Sequence, residues 1–180
     1  MTARARRSDA RDNQALVLAA AKEVFAEDGP DAPLDRIARR AGVGNATLYR
    51  HFPNRRELVV AVYADEVAEL RSRADLDADY PGEALFAWLG LFVEHVRTKR
   101  ALALSLTDPA GDHESLFAGW HAAMNTTAAA LLDRARTAGA VAVDVTELDL
   151  LLLATGIALS GAGPRTPHLL GMVRRGASPP

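Results

Sequence analysis

Residues 34–58 read LDRIARRAGVGNATLYRHFPNRREL and contain two short helical patterns separated by a glycine. The first pattern has apolar residues at i, i+3, i+4 and i+7, which places them on one face of a helix. These residues are Leu34, Ile37, Ala38 and Ala41. Gly42 follows, where a left-handed backbone ends a helix without a Cβ clash. A helix that stops on glycine and restarts three residues later predicts a helix-turn-helix.

The second pattern predicts a helix over residues 45–52 with an inner and an outer face. Leu48 and Phe52 are four residues apart, and we expect both to turn inward. The outer face carries Asn45, Ala46, Thr47, Tyr49, Arg50 and His51. Asparagine pairs with adenine in the major groove, methyl groups contact thymine, and the remaining polar groups reach phosphates. The composition favours DNA binding, although an ordinary solvated helix face has similar residues.

The segment AGVGNATLYRHF, followed by Pro53, Asn54, Arg55 and Glu57-Leu58, resembles the DNA-binding signature of the TetR family of bacterial transcriptional regulators. The resemblance covers residues 16–62 and includes an upstream helix over residues 12–27. It implies base contacts from Asn45, Ala46 and Tyr49, and phosphate contacts from Thr47, Arg50 and His51. It also places Arg55 where the family usually has a phosphate-binding lysine.

This sequence departs from the family pattern at two positions. Gly44 stands where the family usually has Ser or Thr as N-cap of the recognition helix, and glycine at an N-cap costs only a few tenths of a kcal/mol. Asn45 replaces a commonly basic residue, which leaves open the base that it reads.

Charge is unevenly distributed along the chain. Residues 1–60 contain 11 Lys or Arg against 8 Asp or Glu, whereas residues 61–180 contain 10 against 15. Arg4, Arg6, Arg7 and Arg11 precede the first predicted helix, either as a flexible arm on DNA or as a solvated tail. The net charge of −2 excludes a general polyanion binder, so any basic DNA-binding surface is local.

Composition excludes several classes of protein. The chain has no cysteine, which excludes disulfides, thiolate metal sites and cysteine nucleophiles. No apolar run approaches the roughly 20 residues that span a bilayer, and the Arg-rich start does not resemble a signal peptide. We therefore expect a cytoplasmic protein with no membrane partner.

The rest of the chain predicts helices, and the fold class is therefore all-α. A long helix over residues 55–73 is expected to link two domains, and further helices are predicted over 82–98, 100–106, 115–138, 147–160 and 167–175. The prediction is an N-terminal three-helix helix-turn-helix domain (residues 1–54) and a C-terminal helical bundle (residues 55–180). It has about nine helices and a TetR-like arrangement.

A single helix-turn-helix reads few base pairs, so specificity needs two half-sites about 34–36 Å apart and a two-fold protein. We therefore expect a homodimer on a palindromic operator of double-stranded DNA. The segment Glu147–Ser160 is apolar nearly all round, which fits either an isologous four-helix interface or the buried centre of a monomeric bundle. Thr146 and Asp149, three residues apart, resemble a capping pair at its start.

Large side chains at helical spacing in the C-terminal half predict either an effector cavity or ordinary core. They are Trp88, Phe92, His95, Phe117, Trp120 and Met124. The family resemblance implies that this half binds a small-molecule effector, whose identity the sequence does not define.

No catalytic motif is present, and we predict neither an enzyme nor a cofactor. His113 and His121 are eight residues apart and match no metal-binding helix pattern, so no metal site is predicted. The resulting hypothesis is a transcriptional repressor that a small-molecule effector releases from its operator. The alternative is a small-molecule or protein-binding helical module whose helix-turn-helix is only structural.

Overall fold

The computed structural model describes residues 3–106 and 113–179 of the chain. These residues form eight α-helices, one 3-10 turn (Gly163–Arg165) and no strand, which confirms the all-α class. The helices are α1 (Ala3–Asp28), α2 (Leu34–Arg40), α3 (Asn45–His51), α4 (Arg55–Ser72), α5 (Pro81–Ser105), α6 (His113–Thr137), α7 (Glu147–Leu159) and α8 (Thr166–Ala177).

The described residues divide into two compact units. Unit 1 contains residues up to 65 together with 101–106, and unit 2 contains residues 66–100 and 113–179. Helix α4 contributes residues to both units. A functional boundary between residues 54 and 55 stays a prediction.

The core of unit 1 lies beneath α1, α2 and α3, which pack on one another pairwise. Fully buried side chains come from all three helices and from the start of α4, namely Val17, Ala21, Val24, Ile37, Leu48 and Leu58. Leu48 and Phe52 are only 1% and 3% exposed, which confirms that they turn inward. Because Leu48 is buried on one side of α3, the opposite side of this short helix faces outward.

The turn between α2 and α3 has the hydrogen bonds of a Schellman motif. The amide of Gly42 donates to the carbonyl of Arg39 (3.2 Å), and that of Val43 donates to Ala38 (3.0 Å). Gly42 has φ +70°, a left-handed conformation that favours glycine, whereas Gly44 has φ −73° and ordinary extended backbone. Two glycines in one turn therefore have different requirements.

Gly42→Ala is expected to lower the free energy of unfolding by about 1 kcal/mol or more, because alanine is strained at this φ. Gly44→Ser should raise it by roughly 0.5–1 kcal/mol, because the new hydroxyl caps α3 and serine restricts the unfolded chain. No atom lies within 4 Å of a Cβ added at Gly44. Urea denaturation followed by circular dichroism measures both changes. A change of the same sign in both variants would contradict the conclusion that Gly42 needs a left-handed backbone and Gly44 does not.

The core of unit 2 is built from one face each of α5, α6 and α7. Leu85, Trp88 and Leu89 of α5 are buried, as are Leu131 and Leu132 of α6 and Leu150 of α7.

Helix α7 begins in a capping box, in which Thr146 and Asp149 each bond the other's backbone amide. This confirms the capping pair predicted from the sequence.

The structure corrects two predicted boundaries. Helix α1 begins at Ala3 and not near residue 12, so the predicted flexible arm is helical from Ala3 onward. Helix α5 continues to Ser105, whereas the sequence was interpreted as two helices that part near residue 99. In both places the chain lacks glycine and proline, and nothing in it terminates a helix.

Within the part of the chain that the structure describes, no helix combines the length and the apolar character needed to cross a membrane.

Candidate nucleic-acid interface

The outer face of α3 presents four of the predicted DNA contacts to solvent. Asn45, Ala46, Tyr49 and Arg50 are exposed, and the Tyr49 ring is 50% accessible although it is large and partly apolar. The face includes the N-terminal turn of α3, the end of a recognition helix that contacts base edges in helix-turn-helix proteins. This arrangement leaves donors, acceptors and a methyl group available to one ligand surface.

The two remaining predicted contacts on α3 are less accessible. Thr47 and His51 are half-buried. Nε2 of His51 is buried, with no hydrogen-bond partner among the described residues. This nitrogen does not face solvent, and a phosphate contact from His51 stays a prediction.

Two arginines of α2 pair with acidic residues of α1 and fix these helices to each other. Arg40 lies 2.8 Å from Glu23 and 3.0 Å from Glu27, and Arg36 lies 2.7 Å from Glu27. Arg36 also bonds Asp28. The hydrogen bond from Arg40 lowers the pKa of the Glu27 carboxyl below its ordinary value. These arginines are already neutralised locally, so exposed Arg50 is better placed to meet a phosphate.

Sequence reasoning missed the capping of α4, which begins at Arg55. Oδ1 of Asn54 accepts from the amide of Glu57 (2.9 Å), and its Nδ2 donates to the Glu57 carboxylate (2.9 Å). The signal was present in the sequence, because a capping residue followed three positions later by Glu is typical of a helix start. The cap fixes where α4 begins.

Arg55, the remaining predicted phosphate contact, has partners inside unit 1. Its Nη1 donates to the carbonyl oxygens of Pro30 (2.8 Å) and Ala32 (2.6 Å). A phosphate contact from Arg55 is not tested by this geometry and stays a prediction.

The six residues predicted to line an effector cavity fall into two groups. Trp88, Phe92, His95 and Met124 are buried, whereas Phe117 and Trp120 are half-exposed. The rings of Trp88 and Phe92 stack with centroids 5.9 Å apart. The rings of Phe117 and Trp120 meet edge to face at 5.4 Å. Their role in effector binding stays a prediction.

Trp88 has a specific structural partner. Its indole Nε1 donates to the carbonyl of Leu70 at 3.0 Å. Leu70 lies in the last turn of α4, where carbonyls lack partners within the helix. The bond therefore satisfies the end of α4 and fixes it to α5.

Two concave sites of unit 2 have different chemistry. A groove of about 700 Å³ between α5 and α8 is mainly apolar, with Phe86, Val93 and Leu170 in its lining. A cleft of about 180 Å³ between α4 and α5 is polar and includes His95, Glu66 and Lys99. Glu66 and Lys99 form a 2.8 Å ion pair there, and burial lowers the pKa of His95 below its ordinary value.

Helix α7 has an exposed face of leucines, which we call the leucine face. It contains Leu148, Leu152, Leu153 and Leu159, each at least half exposed. Gly156 lies among them, and an added Cβ there would meet nothing within 4 Å. The opposite face of α7, with Leu150 and Ala154, packs in the core. The helix is therefore not the enclosed centre of this chain's own bundle.

No group of three or more His, Asp or Glu residues suited to a metal ion occurs within residues 3–106 and 113–179.

Comparison with known families assigns both parts of the chain. Residues 17–62 match the model of the bacterial regulatory proteins of the tetR family. Residues 80–177 match the C-terminal domain of SbtR-like transcriptional regulators.

Solved structures of similar proteins cover nearly the whole chain. A TetR transcriptional regulator from Streptomyces coelicolor is 36% identical, with a TM-score of 0.79 over 92% of this chain and 98% of the other. A TetR regulatory protein from Mycobacterium vanbaalenii is 35% identical, with a TM-score of 0.75 over 96% and 99%.

Curated relatives match over shorter segments. The HTH-type transcriptional regulator TtgW of Pseudomonas putida is 38% identical over 86 residues, which cover 46% of this chain and 64% of that protein. The match to the regulator SrpR of the same species spans 40% of its length.

Proposed function

The chain belongs to the TetR family of bacterial transcriptional regulators, and from this membership we propose that it is a homodimeric repressor released from its operator by a small-molecule effector. The observation that carries the proposal is the geometry of α3. Its inner residues Leu48 and Phe52 are anchored in the core, while Asn45, Tyr49 and Arg50 are exposed on the opposite side. A short, anchored helix of this kind fits the major groove of double-stranded DNA.

In this proposal α3 provides all the base contacts. Asn45 pairs with a base edge, the methyl group of Ala46 contacts a thymine, and Tyr49 contacts a further base. Thr47, Arg50 and His51 hold the phosphates that fix the orientation of α3 on the duplex.

The leucine face supports the homodimer. Full burial of a leucine side chain contributes about 1.5–3 kcal/mol, so four exposed leucines on one helix represent a large gain available to association. Gly156 permits a close approach of a second helix. Met172 of α8, a helix that packs against α7, is also 52% exposed. Two copies joined by this face form the isologous interface that a palindromic operator requires.

Unit 2 is the part that we expect to bind the effector in the cytoplasm. An effector that favours one dimer geometry changes DNA affinity by its differential binding to the two geometries, typically about 1–3 kcal/mol. Helix α4, unbroken from Arg55 to Ser72, is the element that would carry the change. The proposal contains no catalytic step, and repression follows from occupation of the operator.

Selection of bound duplexes from random DNA tests the proposal. The wild-type protein is expected to enrich a palindrome, and fluorescence anisotropy then measures base preference at each position. Asn45→Ala should reduce preference at one position of each half-site by about 1–3 kcal/mol, since one bidentate contact is lost.

The matched control is Asn125→Ala, which removes an exposed asparagine from α6 and should leave every preference unchanged. Enrichment of no motif, or identical preferences for Asn45→Ala and wild type, would favour a binding module whose helix-turn-helix is only structural.

A further inference from the structure

We infer that Arg55 is a positioning residue, which fixes the loop between α1 and α2 to the start of α4 and thereby sets the orientation of α3. The inference rests on the proposed function only for its effect on DNA binding. It differs from the role that the family pattern implies, in which this position contacts phosphate.

The loop between α1 and α2 contains few hydrogen-bond donors. It reads Gly-Pro-Asp-Ala-Pro over residues 29–33, and its two prolines have no amide hydrogen. The amide of Ala32 donates to the carbonyl of Gly29 at 3.2 Å. Ala32 itself is 3% exposed, so its carbonyl has limited access to water. Buried carbonyls without a donor cost free energy, and a donor from elsewhere in the chain is required.

Arg55 supplies that donor from 23 and 25 residues further along the chain. Its Nη1 lies 2.6 Å from the Ala32 oxygen and 2.8 Å from the Pro30 oxygen. An Nη nitrogen carries two hydrogens, and two carbonyl acceptors use both of them. This nitrogen therefore has no hydrogen left for a phosphate, and its charge strengthens both bonds to the loop.

The location of Arg55 gives these bonds a consequence for α3. Only Phe52, Pro53 and Asn54 separate α3 from α4. The loop held by Arg55 leads directly into α2, which begins at Leu34. The two bonds thus close a ring through α2, α3 and the first residue of α4, and loss of the bonds should loosen α3.

Arg55→Met separates positioning from phosphate binding, because it keeps an apolar stem and removes the guanidinium. For the DNA-free protein we expect a Tm lower by about 3–8 °C. We also expect weaker operator binding, by a similar factor at every salt concentration, so the slope of log K against log salt should match wild type. Arg50→Ala is the comparison, with an unchanged Tm and a slope reduced by about one contact.

The opposite pattern would overturn the inference, namely an unchanged Tm together with a slope reduced as in Arg50→Ala. If Arg55→Met does not fold, Arg55→Lys replaces it, since it keeps the charge but lacks the planar fork. A Tm of Arg55→Lys below that of wild type supports positioning, and a Tm equal to that of wild type refutes it. Because Tm is measured without DNA, failure of the proposed DNA-binding function leaves this result interpretable.

Discussion

Leu152→Glu is expected to produce a folded monomer whose operator affinity is lower by a factor of about 10²–10⁴. This factor is the gain in affinity that two linked binding modules provide, and a monomer loses it. Leu152 is 63% exposed in the single chain, so a charged side chain there costs the fold little. In a dimer the same position is covered, and two carboxylates near a two-fold axis would be buried without partners. The monomer keeps an intact α3 and reads only one half-site.

Light scattering after size-exclusion chromatography measures the mass, and fluorescence anisotropy measures the affinity. Val143→Glu is the matched control, since Val143 is 88% exposed in a loop of unit 2 and lies outside the leucine face. It should remain dimeric with wild-type affinity. A dimeric Leu152→Glu that binds the operator normally would show that another surface joins the two copies.

Trp88→Ala is expected to lower the free energy of unfolding by about 3–5 kcal/mol, the usual cost of removing a large aromatic from a core. Trp88 is 1% exposed, stacks on Phe92 and donates to the Leu70 carbonyl. Its loss leaves both a cavity and an unsatisfied carbonyl in the last turn of α4. Urea denaturation monitored by circular dichroism gives the value.

The comparison with Trp120→Ala separates core from surface. Trp120 is half-exposed on α6, and its replacement should cost less than half as much as that of Trp88. Equal losses for the two tryptophans would contradict the assignment of Trp88 to the core. Trp88→Phe should be intermediate, because it retains the packing against Phe92 and loses the hydrogen bond.

Local sequence signals predicted the parts of the fold that depend on neighbouring residues. The apolar spacing around Leu48, the glycine after α2 and the Thr146–Asp149 capping pair each involve groups within a few positions of one another. Such interactions act at fixed helical offsets, and one sequence is enough to read them. The absence of helix breakers was the signal overlooked at Ala3 and near residue 99.

Interactions between distant segments could not be predicted in the same way. The pairing of Arg40 with Glu23 and of Arg55 with Pro30 depends on how α1 and α4 pack, which no periodicity encodes. The sequence likewise grouped Trp88 with Trp120 because both are large and apolar, and only tertiary packing separates a buried side chain from a half-exposed one.

Directed cleavage of the operator tests whether α3 enters the major groove, and the absence of cysteine from the chain makes it possible to attach one cleavage reagent at a chosen position. Gly44→Cys places a single thiol next to the start of α3, at an exposed position with ordinary backbone and no atom within 4 Å of the new Cβ. An iron chelate attached to it cleaves nearby DNA. If α3 enters the groove, we expect cleavage in two zones about one helical turn (roughly 10 base pairs) apart, one for each half-site. Val143→Cys carrying the same chelate should give no specific cleavage. If Gly44→Cys also gave no specific cleavage, this result would contradict the entry of α3 into the groove.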